Sequence, residues 1–208
     1  MKPAPAAAKP RPPRKLPAWL ARAQRLFLQP TQEWSTIAPE FTTAGAIYGR
    51  FLVPMAAIGP IAATLGGVVF GERGSLLTFG VVPVSLSAAV QTGVLEYVLN
   101  LVGVYVLAIA IDTIGGSLGG SRNRVQALKV AAYGSTPYWL AGVFALFPRI
   151  EPLAMLVGLW SFRLFAAGLG PVMKAPRDKS AAYILLTCIA ATLLVLVITA
   201  VITRLVVA

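Results

Sequence analysis

Residues 129–143 read K-V-A-A-Y-G-S-T-P-Y-W-L-A-G-V, an apolar run of membrane-spanning length broken near its start by Tyr133-Gly134-Ser135-Thr136-Pro137. A proline inside a helix removes one backbone hydrogen bond and clashes with the carbonyl four residues back, here that of Tyr133, so a kink is expected. Within a bilayer the freed carbonyl must find a partner close by. Ser135 and Thr136 carry hydroxyls, and Gly134 allows a neighbouring helix to come close, so the stretch reads as one packed inside a helical bundle.

The composition fits that reading. Hydrophobic residues make up 57% of the 208-residue chain and charged residues only 12%, against about a quarter in an average soluble domain. Mean hydropathy is +0.77. The formal net charge of +11 would suit nucleic acid, but the basic residues sit in a tail and in short loops between apolar runs, which is the positive-inside pattern of a membrane protein. Nucleic acid is therefore not an expected partner; the lipid bilayer is. The single cysteine, Cys188, lies in the last apolar run and reads as a small buried apolar residue. The first long apolar run starts at Phe51, so insertion through an internal span, with no cleavable N-terminal signal, is expected.

Working outward, the chain divides into a basic Pro/Ala-rich tail (1–17), an amphipathic segment (18–50) and a membrane domain (51–208). The tail cannot bury a core and is expected to be disordered, either solvated or held near anionic headgroups. From Ala18 to Leu28, Trp19, Leu20, Ala23, Leu26 and Phe27 share one helical arc and leave Arg22, Gln24 and Arg25 outside it. This pattern predicts a short helix whose Trp19, Arg22, Arg25 and Phe27 contact a membrane surface, or which packs on a partner. Pro30 should end it, with Thr31 capping one further turn.

The predicted fold is all-α: a bundle of five transmembrane helices at about 51–70, 81–114, 130–147, 153–169 and 181–202, preceded by the cytoplasmic amphipathic helix. The run 81–114 exceeds one span and has no polar loop for two, so charge decides. A single crossing puts the tail and the loops 115–129 and 171–180 on one face, with Arg73, Arg149 and Arg204 on the other. The N-terminus is then cytoplasmic and the C-terminus outside.

Candidate chemistry is sparse. There is no histidine, which removes the commonest general base and metal ligand, and the acids are scattered, so no catalytic, cofactor or metal site is expected. Gly115 to Ser121 lacks the lysine of a phosphate loop and reads as a flexible hinge. Glu96, Asp112 and Arg163 lie in apolar runs, where a charge costs at least about 2.5–3.5 kcal/mol and needs a partner. Glu96 and Arg163 fall at matching depth and are expected either to pair or to mark an ion or proton pathway. Asp112 is expected to reach water or to pair with Arg122 or Arg124. Tyr138, Trp139, Trp160 and Phe162 read as packing aromatics or as a ligand cage.

Three short elements, in order, resemble the Yip family of small five-span membrane proteins: Pro30-Thr31-Gln32-Glu33-Trp34, Asp112 ahead of a Gly-rich loop, and Gln126-Ala127-Leu128-Lys129 followed by Ala132-Tyr133-Gly134-Ser135-Thr136-Pro137. The last is similar to the family's Gly-Tyr-Gly-x-x-Pro element, with Ala132 in place of the first glycine. Eukaryotic members are associated with Rab-type GTPases, but their Asp-Leu-Tyr-Gly-Pro motif is absent, so the resemblance implies no such partner. It is closer to prokaryotic members, which implies an inner-membrane location. What it implies is a non-enzymatic protein that organises or scaffolds membrane, alone, as a homo-oligomer or with another membrane protein. A small transporter or channel subunit using Glu96, Asp112 and Arg163 is the alternative.

Overall fold

The computed structural model describes residues 16–73 and 81–207; the expectation for the tail falls almost wholly outside them. Two short helices come first, α1 (Ala18–Leu28) and α2 (Pro30–Ile37). Pro30 does not merely end α1 but occupies the first position of α2, where its missing N–H is no loss. Thr31, expected as a cap, lies inside that helix.

Among the described residues four helices are long and apolar enough to cross a membrane: α3 (Ala44–Phe70), α4 (Leu86–Ser117), and two that follow later, α7 (Leu153–Met173) and α8 (Ser180–Val207). α3 begins earlier than the apolar run alone suggested, because the Thr43 side chain accepts a hydrogen bond from the Ala46 amide (3.2 Å) and caps it. It widens into a π turn over Tyr48–Leu52, where Pro54 deprives the Arg50 carbonyl of its usual donor. Gly71 ends α3 at φ 79°. A two-residue ladder then joins β1 (Glu72–Arg73) to β2 (Val81–Val82).

The long apolar run forms one uninterrupted helix of 32 residues, capped by Ser85. At about 1.5 Å per residue it outreaches a hydrocarbon core of about 30 Å. The Gly-rich stretch is less of a hinge than its composition suggested. Gly115 to Ser117 continue α4, and Ser121 ties the remainder to the end of α7 by bonding the Met173 carbonyl through both its amide (3.0 Å) and its hydroxyl (2.9 Å).

The expected third span, 130–147, is not one helix. Asn123 caps α5 (Arg124–Gly134), Ser135 breaks the run, and α6 (Thr136–Ala141) continues into a 3-10 turn over Gly142–Leu146. No single piece reaches membrane-spanning length, so this segment is not one of the four long apolar helices among the described residues. α5 is nevertheless the centre of the molecule. Every residue from Ala127 to Gly134 is buried, with α4 on one side and α7 on the other. Around this core the long helices expose apolar side chains such as Ile61, Val94, Leu186 and Leu196, a surface that suits lipid and would be a liability in water. On α8 the Tyr183 hydroxyl donates to the Ile111 carbonyl of α4 (2.7 Å); Cys188, expected to be buried there, is half-buried.

Candidate functional site

The break at Ser135 organises two polar sites. Pro137 leaves the Tyr133 carbonyl without a helical donor, and the Thr136 hydroxyl donates to it at 2.6 Å. The Ser135 hydroxyl donates to the Ala131 carbonyl at 2.8 Å. Gly134 is buried against α7, where a Cβ would lie 2.4 Å from the Phe165 ring. The kink thus satisfies its own backbone and lets α5 and α7 touch.

The Tyr133 side chain points the other way, into the α1–α2 hairpin. Its ring meets Phe51 edge-on at 4.7 Å and Trp34 at 6.4 Å. The Arg22 guanidinium sits 5.3 Å from its ring centre and donates to its hydroxyl at 3.1 Å. Arg22 also reaches Glu40 (2.8 Å) and Glu33 (3.5 Å), while Arg25 grips Glu33 with two hydrogen bonds of 2.7 and 3.1 Å. Burial alone would lower the pKa of Arg22, but its bonds to Glu40 and Tyr133 outweigh that and raise it, so the guanidinium stays charged. Glu33 is only 5% exposed, so its carboxylate depends on these two arginines.

A third cation closes this clamp. Lys129, counted in the sequence as a loop charge, is 2% exposed and helical. Its ammonium donates to the carbonyls of Ile37 (3.0 Å) and Glu40, and Gln126, one turn earlier, donates to Ala38 (3.4 Å). Together they satisfy carbonyls at the C-terminal end of α2, where a positive charge is favoured. Trp34 is fully buried against Gly168 of α7, where a Cβ would lie 2.6 Å from the indole.

These contacts change the reading of α1. Ala23 and Leu26 are covered by the bundle, Trp19 is half-buried against the core, Arg22 turns inward, and Phe27 stacks on Trp160 of α7 at 6.0 Å. The apolar arc expected to rest on lipid is therefore occupied largely by protein. Arg25 and Leu28 remain on the outer side of the hairpin.

The intramembrane residues separate. Asp112 pairs with Arg124 at 3.2 Å. Glu96 and Arg163, expected to pair, do not. Arg163 is exposed and lies over the Trp160 ring at 5.7 Å, because in this part of α7 its neighbours Ser161, Leu164 and Phe165 turn inward. Glu96 instead lines a cavity of about 570 Å³ between α3, α4, α6, α7 and α8. Its walls include Asn100, Ser135, Tyr138, Trp139 and Ser161. Its floor is tight: a Cβ on Gly142 would fall 2.6 Å from the Gly59 Cα, and Glu96 lies against Gly59.

The segments that meet at Tyr133 are the ones that carried the family likeness. Glu33 and Trp34 come from the first, and Gln126, Lys129, Tyr133, Gly134, Thr136 and Pro137 from the last. The Yip1 domain family model matches residues 25–199. The chain belongs to the Yip family. No curated protein and no solved structure is matched. Within the Yip1 domain the clamp spans both ends of the motif set, a convergence that separate motifs in the sequence did not reveal. Glu33, Glu40 and Lys129 were missed as site residues; the signal available for two of them was their place in motifs otherwise made of packing residues. Membership and the apolar helices together make the chain an integral membrane protein.

Proposed function

We propose that this Yip-family protein is a non-enzymatic membrane organiser: a bundle that crosses the bilayer five times, with α5 and α6 together as the broken third crossing, the N-terminus cytoplasmic and the C-terminus outside. The α1–α2 hairpin serves as its cytoplasmic platform. The observation that carries the reading is the clamp itself. Two arginines, two glutamates and a buried lysine hold the hairpin on the family motif, which suits a fixed recognition surface and not a loose tether. Its free edge, where Arg25 and Leu28 lie beside Phe27, Trp160 and Arg163, combines basic and apolar groups in the way an interfacial contact does. The partner class is another membrane protein or a second copy, with lipid along the edge.

Affinity purification of the native protein, with mass spectrometry of bound proteins and lipids, tests this. A specific protein partner or a homo-oligomer should co-purify with the unaltered chain and be lost from Glu33→Gln; retention of the same partners by that variant would sink the platform. A C-terminal reporter active only in the cytoplasm should be silent, and activity there would refute five crossings. The cavity beside Glu96 favours a second reading, a small transporter. That reading requires solute or proton flux in proteoliposomes that Glu96→Gln removes.

A further inference from the structure

Two buried hydrogen-bonding groups beside the membrane cavity lack partners. The Trp139 indole N–H and the Ser161 hydroxyl are sealed from solvent, each side chain being about 5% exposed, and neither finds a partner in the protein. Both residues line the same cavity as Glu96, but these two polar atoms have almost no accessible surface and so do not meet its open space; the polar chemistry the cavity offers is that of Glu96, which is half-buried there. Its volume, about 570 Å³, falls in the range of roughly 300–1,000 Å³ that holds small organic ligands.

The lining has a definite chemistry. Two carboxylates, Glu96 and Glu151, contribute to it and no lysine or arginine does. Tyr138, Trp139, Phe162 and Phe165 supply aromatic faces, which attract cations. Met155 and Leu196 line the cavity and yet are 73% and 59% exposed on the outside of the bundle. The mouth therefore opens sideways between helices, toward lipid.

We infer that this cavity binds an amphiphile whose head carries an ammonium group. The ammonium fits Glu96, which shares the lining with Asn100 but with no lysine or arginine; in apolar surroundings the carboxyl can hold its charge only beside a cation, which the ammonium would supply. The otherwise apolar walls and the lateral mouth accommodate an alkyl tail that continues into the bilayer. Such a head exists on aminophospholipids and on free amino-alcohol amphiphiles, and the chemistry is common to both. The inference is independent of the platform reading and of transport: a bound amphiphile need not cross, and the hairpin clamp does not touch the cavity's ligand-facing groups.

The test uses the full chain in dodecyl maltoside with three probes: lysophosphatidylethanolamine, N-dodecylethanolamine, and lysophosphatidylglycerol, which has the oxygens without the amine. Tryptophan emission and the thermal midpoint are followed during titration. At least one amine probe should bind tenfold or more tighter than lysophosphatidylglycerol, and Glu96→Gln should remove that preference while leaving lysophosphatidylglycerol unchanged. Preference for the lysolipid alone assigns a lipid headgroup, and preference for the free amine alone assigns a soluble amphiphile. Should Glu96→Gln fail to fold, Ala63→Leu, which narrows the cavity wall and keeps every polar group, must weaken amine binding severalfold. Equal affinity for all three probes, or an undiminished amine preference in the variant that folds, overturns the inference.

Discussion

Replacing Glu33 by glutamine should loosen the α1–α2 hairpin without unfolding the bundle. The carboxylate is 5% exposed and accepts two hydrogen bonds from Arg25, with Arg22 a further 3.5 Å away. Hydrogen bonds to charged groups contribute about 1.5–3 kcal/mol each, and removing one member of a buried pair costs about 3–5 kcal/mol. Two features reduce that figure here. The Arg25 side chain is half exposed and can turn to water, and Arg22 keeps Glu40 and Tyr133. An isosteric amide also retains one acceptor, leaving a loss of about 2 kcal/mol, which corresponds to a roughly thirtyfold larger open population. Hydrogen exchange read by mass spectrometry should show faster exchange of amides in 18–40, with α4 and α8 unchanged. Arg25→Gln should have a smaller effect, and the two together less than the sum. Unchanged exchange in 18–40 would show that Trp34 on Gly168 holds the hairpin and that the charges are incidental.

Arg163→Gln should leave the thermal midpoint in detergent essentially unmoved, since the side chain is exposed and lies over the Trp160 ring; a drop comparable to that of a core substitution would restore a buried role. Gly134→Val should destabilise by about 1–3 kcal/mol or more, because even its Cβ would lie 2.4 Å from Phe165; denaturation in mixed micelles at wild-type concentration would refute the close crossing. Lys129→Met removes the donor to Ile37 and Glu40 and should increase exchange in 30–40 specifically, with no change in 180–200. Pro137→Ala should straighten the α5–α6 joint, read as a changed spin-label distance between the end of α6 and α7; an unchanged distance would mean that neighbouring helices set the bend.

The crossings were legible where length and apolarity decide alone, as in α3, α4, α7 and α8. Their azimuth was not. Depth counting placed Glu96 and Arg163 at one level, but height along an axis says nothing of rotation about it, and α7 turns Ser161 and Phe165 inward and Arg163 out. The amphipathic arc of α1 was equally readable as a pattern and equally silent about what it faces, since lipid and a helical bundle reward the same apolar stripe. Lys129 was misread because a lysine beside a loop is ordinarily solvated, and only the approach of the α2 carbonyls from far along the chain makes it a buried cap.

The break at Ser135 explains why one short stretch serves both sites. In an unbroken helix, the inward faces of residues 133 and 139 would follow a single 100° progression, and the backbone freed by Pro137 would lack a donor. Here the residue before the break, Tyr133, meets Arg22, Trp34 and Phe51, whereas Ser135, Tyr138 and Trp139 line the cavity. Thr136 bridges the discontinuity by bonding the Tyr133 carbonyl. A valine at 136 would keep the shape and remove that donor, leaving a buried carbonyl unsatisfied at a cost of about 1–3 kcal/mol. Because the same carbonyl belongs to the residue that anchors the clamp, Thr136→Val should disturb hairpin exchange and cavity-reported tryptophan emission together. A change in either one alone would show that the two sites share a helix but not its break.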